Sequence, residues 1–124
     1  MVVLVAENDV GVRFMVWNLL MNDGFTILST GDGPAALELF RNYQGKIDLL
    51  LSDMDMPLMS GLEICQMIAA ERPGIKVLIM SSGVQGREQA RMNGWPSLQK
   101  PFSTAALQHS ITALLGPTPP SGAT

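Results

Sequence analysis

Short apolar runs alternate with longer segments of helical spacing, five times over, and this alternation limits the chain to very few folds. The runs are Val2–Val5, Phe25–Leu28, Ile47–Leu51, Ile75–Met80 and a weaker one at Ser97–Gln99. They are nearly continuous in apolar residues, as strands covered on both faces are. Ile47-Asp48-Leu49-Leu50-Leu51 is the most apolar and belongs at the centre of a sheet. Between the runs, Val10, Phe14, Trp17 and Met21 step by four, three and four, with Asp9 placed as an N-cap and Gly24 as a stop. Pro34 stands in the first turn of a segment carrying Ala36, Leu37 and Phe40. Ser60 and Glu63 read as a capping box ahead of Ile64, Met67 and Ile68. Ser103 opens the last helix, with Leu107, Ile111 and Leu114 on one face. Gln85–Met92 is the shortest and most polar of the helical segments.

Repeated β-α order implies an α/β fold: five parallel strands, right-handed crossovers and helices on both faces. A chain of 124 residues suits one domain, and 47% apolar content is enough for a packed core. The domain is expected over residues 1–115, and the Gly- and Pro-rich stretch 116–124 reads as a flexible tail or linker. Net charge is −3 and no Lys/Arg cluster occurs, so nucleic-acid binding by this domain is not expected. Cys65 is the single cysteine, which excludes an intrachain disulfide and fits a reducing compartment. The run after Met1 is too short to span a bilayer and lacks a basic flank. No membrane insertion and a cytoplasmic location are therefore expected.

Ligands of open parallel sheets bind beyond the C-terminal ends of the strands. Glu7, Asn8 and Asp9 follow the first run, and Asp53 and Asp55 follow the third. Ser81 and Ser82 follow the fourth, and Lys100 follows the fifth. Acids, a hydroxyl and an amine on one edge suit phosphoryl transfer to a carboxylate. An ionised Asp53 would be the nucleophile, Mg²⁺ would offset charge, and the hydroxyl and ammonium would bind phosphoryl oxygens. Cys65 is expected to be buried and inert, His109 to lie on the surface, and Met54, Met56 and Met59 to pack the loop.

Four stretches carry a resemblance: Val3–Asp9, Asp53-Met54-Asp55-Met56-Pro57-Leu58-Met59-Ser60-Gly61-Leu62-Glu63, Met80-Ser81-Ser82-Gly83 and Lys100-Pro101-Phe102. Together, over about residues 2–115, they resemble the landmarks of response-regulator receiver domains. Leu98–Phe102 also resembles receivers attached to hybrid sensor kinases. The resemblance implies a flavodoxin-like (βα)5 fold of strand order 2-1-3-4-5. It implies a two-component signalling module phosphorylated on Asp53 by a histidine kinase or phosphotransfer protein, and read by a downstream protein target. Such a domain is not an enzyme beyond its own phosphorylation and slow dephosphorylation. By the same resemblance, Mg²⁺ is held by Glu7, Asn8, Asp53 and the backbone carbonyl of Asp55. Ser81 is the switch hydroxyl, Lys100 contacts the phosphate, and Lys100–Pro101 is a cis bond.

Two positions depart from the pattern. Asn8 replaces the aspartate that usually binds metal, so weak Mg²⁺ binding and slow phosphorylation are expected. Ser97 replaces a frequent aromatic, and the stretch from Ser81 to Lys100 is a few residues short, so an altered output is expected. These departures motivate an alternative, a pseudo-receiver that binds proteins without phosphorylation. A third reading takes Asp53-Met54-Asp55 as the Asp-x-Asp of a haloacid-dehalogenase-like phosphatase, although that motif belongs on a first strand of a longer chain.

Overall fold

A computed structural model describes residues 1–117. Five strands, β1 (Val2–Ala6), β2 (Thr26–Thr30), β3 (Leu49–Asp53), β4 (Lys76–Ser81) and β5 (Ser97–Gln99), form one parallel sheet. Their order is β2-β1-β3-β4-β5. The intervening helices are α1 (Val10–Asn22), α2 (Gly33–Asn42), α3 (Gly61–Glu71), α4 (Val84–Met92) and α5 (Thr104–Leu115). The expected α/β architecture is therefore present. Of the expected tail, all but Gly116 and Pro117 lies outside the described residues. Among the described residues no helix is long and apolar enough to cross a membrane.

The sheet's period-two geometry divides the core into two halves. Leu4, Ala6, Leu50, Val77 and Ile79 face the half that holds Ala36, Leu37 and Phe40 of α2 and Ile64, Cys65 and Ile68 of α3. Val3, Val5, Leu49, Leu51, Leu78 and Met80 face the other, against Val16 and Leu20 of α1 and Leu107 and Ile111 of α5. Every residue of β3 is buried, as its central place requires. Each large apolar side chain taken out of water in this way contributes about 1.5–3 kcal/mol before the cost of ordering it.

Helix starts follow the sequence closely. Asp9, Ser60 and Ser103 accept bonds from Val12 N, Glu63 N and Ala106 N, each satisfying a free amide of a first turn. Asp32 does the same for α2, with Pro34 in its first turn. The capping box at Ser60 is only half formed, because Glu63 Oε1 meets the Ser60 hydroxyl at 3.5 Å rather than its amide. Strand edges moved. Phe25 is spent closing α1, where its N–H bonds Leu20 O, so β2 begins at Thr26. At β3, Asp48 Oδ2 binds Val2 N and the regular ladder starts at Leu49.

The residues whose spacing marks α1 are not those it buries. Val16 and Leu20 enter the core, while Val10, Phe14, Trp17 and Met21 are 69%, 65%, 37% and 55% exposed. The helix is apolar nearly all round, so spacing alone could not select the inward face.

Candidate functional site

The strand order reverses between β1 and β3, which opens a crevice above their C-terminal ends. Parallel register then brings distant residues level. Ala6 pairs with Ser52, Asp53 with Met80 and Ser81 with Gln99. Glu7, Asp53, Ser81 and Lys100, each at or just past a strand end, thereby lie along one edge.

Asp53 ends β3 and is 5% exposed. Its Oδ1 accepts from Asp55 N at 3.2 Å, and its Oδ2 lies 3.2 Å from Lys100 Nζ. Lys100 also reaches Glu7 Oε1 at 2.6 Å. The Glu7 side chain has no solvent exposure, and its Oε2 accepts from Asp9 N at 2.9 Å. Burial is the main cause that pushes the Glu7 pKa up, against the lowering effect of the Lys100 and Asp9 bonds. Burial also pulls on Lys100, downward, but the bond to Glu7 and the charge of Asp53 outweigh it and its pKa rises. Lys100 is therefore an ammonium at neutral pH, shared between two carboxylates. Two buried carboxylates around a partly buried ammonium contribute little to a fold, since desolvation offsets their attraction. Their convergence in a crevice marks a site of chemistry.

Ser81 is 2% exposed and is tied to its own loop. Its hydroxyl donates to Gly83 O at 3.1 Å and accepts from Gly83 N at 3.2 Å. Asn8 and Asp55 are exposed at the rim, and Ser82 is exposed beyond them. Asp9 is turned to the α1 cap. Lys100–Pro101 is cis. Cys65 is fully buried with its pKa pushed to about 12 by burial, and His109 is exposed. Met54 is buried, and Met56 and Met59 pack partly on the core.

Two residues have supporting roles that the sequence reading did not assign, although it included Gly61 in its longest motif. Arg13 Nη1 donates to Glu7 O at 2.8 Å and so holds the end of β1; it is the one charge on α1, which was its signal. Gly61 is the other, because a Cβ there would overlap the backbone carbonyl of Asp53. Its N–H bonds Met54 O at 2.9 Å, so α3 starts directly against the loop that follows Asp53.

No group of three or more His, Cys, Asp or Glu side chains gathers in metal-holding geometry among the described residues. Glu7 and Asp53 share Lys100, and Asn8 and Asp55 follow them on the chain, so the donors expected from the sequence are two carboxylates, an amide and a backbone carbonyl. In kind this set fits Mg²⁺, which takes one or two carboxylates and keeps its waters.

Comparison with known proteins follows the same line. The model of the response regulator receiver domain matches residues 3–112. The alkaline phosphatase synthesis transcriptional regulatory protein SphR of Synechococcus elongatus is 32% identical over 91% of this chain and 48% of its own length. The sensor kinase CckA of Brucella abortus is 29% identical over 91% of this chain and 12% of its own. The chain thus spans half or less of these relatives. A response regulator receiver domain protein from Clostridium thermocellum superposes with a TM-score of 0.83 at 25% identity, covering 92% of this chain and 93% of that one. The receiver domain of sensor histidine kinase PA1611 from Pseudomonas aeruginosa, solved with a magnesium ion in its active-site cleft, has a TM-score of 0.79 at 21% identity over 93% and 97% of the two chains. These matches set aside the haloacid-dehalogenase reading, as does the place of Asp53 on the third strand. The chain belongs to the response regulator receiver domain family.

Proposed function

We propose that this domain accepts a phosphoryl group on Asp53 from a phosphohistidine of a kinase or phosphotransfer protein. The observation that carries the reading is the Asp53 carboxylate, nearly buried, with Lys100 Nζ 3.2 Å from its Oδ2. An Asp53 oxygen attacks phosphorus, the P–N bond breaks, and the imidazole leaves with a proton. Lys100 and Ser81 then bind phosphoryl oxygens as positioned charge and dipole. Mg²⁺, when held by Glu7, Asn8, Asp53 and the Asp55 carbonyl, supplies charge neutralisation for the transferred group. The resulting acyl phosphate is shed slowly, and a partner protein reads the altered surface.

The α1 stripe of Val10, Phe14, Trp17 and Met21 suits the donor. It begins beside Asn8 and Asp9 at the rim of the site, and α1 carries no charge on that face except Arg13, which is bound to Glu7 O. A donor seated there stands next to Asp53. We assign the domain to the cytoplasm with such partners.

Incubation with acetyl phosphate or a phosphorylated histidine kinase, with and without Mg²⁺, followed by intact mass, is the test. One added phosphoryl mass that vanishes in Asp53→Asn supports the reading. No added mass with any donor favours the second reading, a receiver fold that works as a phosphorylation-independent binding module. Asn8 motivates that reading, since it leaves the rim one negative charge short.

A further inference from the structure

Strand β2 lies at one side of the sheet, with β1 as its neighbour in the order β2-β1-β3-β4-β5. Thr26 N donates to Met1 O and Thr30 O accepts from Glu7 N, so Thr26, Leu28 and Thr30 turn their backbone groups toward β1. Ile27 and Ser29 alternate with them and turn their N–H and C=O groups outward, where nothing bonds them among the described residues. A strand edge is ordinarily guarded by a charge, a proline or a bulge. Thr26-Ile27-Leu28-Ser29-Thr30 has none of these and pairs residue for residue with β1. A cleft opens on each face of this edge. On the α1 side, Val10, Arg13, Phe14 and Trp17 with Ser29 enclose about 240 Å³, and the Arg13 charge there is already bonded to Glu7 O. On the α2 side, Ala35, Glu38, Leu39 and Asn42 with Ser29 and Thr30 enclose about 340 Å³, and Glu38 makes no ion pair among the described residues. Side chains of a strand alternate between faces, so neighbouring residues of one added strand would enter the two clefts in turn.

We propose that the free edge of β2 is a strand-addition site for an extended segment of a partner protein, one in which apolar or aromatic side chains alternate with lysine or arginine. The backbone of the segment pairs with Ile27 and Ser29. The residue level with Ser29 sets an apolar side chain against Phe14 and Trp17, and the next one sets its cation beside Glu38. Main-chain bonds supply affinity, and the two clefts select the sequence. A second copy of β2 would fill the ladder but bring no cation to Glu38, since β2 has no charged residue. A net charge of −3 also favours a cationic segment. The site stands apart from the chemistry at Asp53, although its occupant would share Phe14 and Trp17 with the phosphodonor.

The probe is a short capped peptide in which phenylalanine and valine alternate with lysine. Titrated into the full chain and followed by backbone amide NMR, it is expected to shift the Ile27 and Ser29 amides and to slow their hydrogen exchange. A version methylated on its backbone nitrogens keeps the side chains but cannot donate to Ile27 O or Ser29 O, and it is expected not to bind. Phe14 and Glu38 are exposed, so their replacement is expected to keep the fold. Phe14→Ala is expected to weaken the lysine peptide roughly tenfold. Glu38→Lys is expected to weaken it roughly two- to fivefold, and to make a glutamate version of the peptide the better ligand. Ile27 and Ser29 amides that stay still overturn the proposal. So does a methylated peptide that binds as well as the parent peptide, or a preference for lysine that survives Glu38→Lys. Ile27 and Ser29 amides that shift with protein concentration alone would show a second copy on the edge and overturn the assignment to a partner.

Discussion

At the scale of single residues, the site is a balance of buried charge. Lys100 neutralises one of two carboxylates, and its own raised pKa means that its stabilisation is complete below the ordinary lysine value near 10.5 and is lost as pH rises through the higher folded value. Glu7 has the same sign in a lower pH window. Its folded pKa lies above 4.5, so the folded protein binds the extra proton and stability falls as pH rises through that window. Removing Lys100 widens the window, because Glu7 and Asp53 then face each other without a cation. Lys100→Gln is expected to lose about 3 kcal/mol at pH 8 and to recover part of it at pH 5, because loss of the cation raises the Glu7 pKa further and favours its neutral form as pH falls. Urea midpoints of both proteins at the two pH values measure this. The same gap at pH 5 and pH 8 would show that Glu7 does not carry the penalty. Asp53, Ser81 and Lys100 were legible in the sequence because each stands at a strand end. The bonds from Lys100 to both acids were not, because residues 7, 53 and 100 meet only through the sheet register.

At the scale of elements, α1 separates what folds the domain from what faces outward. Leu20 is fully buried against β1, β3 and α5 residues, so Leu20→Ala is expected to cost about 2–5 kcal/mol by loss of transfer energy and by the cavity left. Phe14 is 65% exposed, and Phe14→Ala is expected to stay within about 0.5 kcal/mol of the parent. Thermal or urea denaturation of the two variants decides it. A large loss from Phe14→Ala would mean that the outward stripe is part of the core. If the stripe seats the phosphodonor, the same Phe14→Ala protein slows transfer from a kinase and leaves transfer from acetyl phosphate unchanged. The caps at Asp9, Ser60 and Ser103 were readable because a capping side chain acts within three residues of itself. The inward face of α1 was not, since its apolar residues run all round and only neighbouring elements choose among them.

At the scale of the whole molecule, four strand ends assemble a crevice whose rim holds the Asn8 amide where a carboxylate would add a second charge. Asn8→Asp is expected to tighten Mg²⁺ binding relative to the parent, measured by tryptophan fluorescence on titration. Equal affinity in the two proteins would remove Asn8 as the cause of weak binding. The sequence by itself determined the element order, the helix caps, the five strands and the row of chemical groups at their ends. These depend on local spacing and on side chains acting on their nearest backbone. Only the tertiary structure decided the strand order, the pairing of Lys100 with Glu7 and Asp53, the outward turn of the α1 stripe and the clefts on either side of β2. Each of these joins residues from separate elements, and which surfaces meet is set by packing the whole sheet with its helices, not by any one segment.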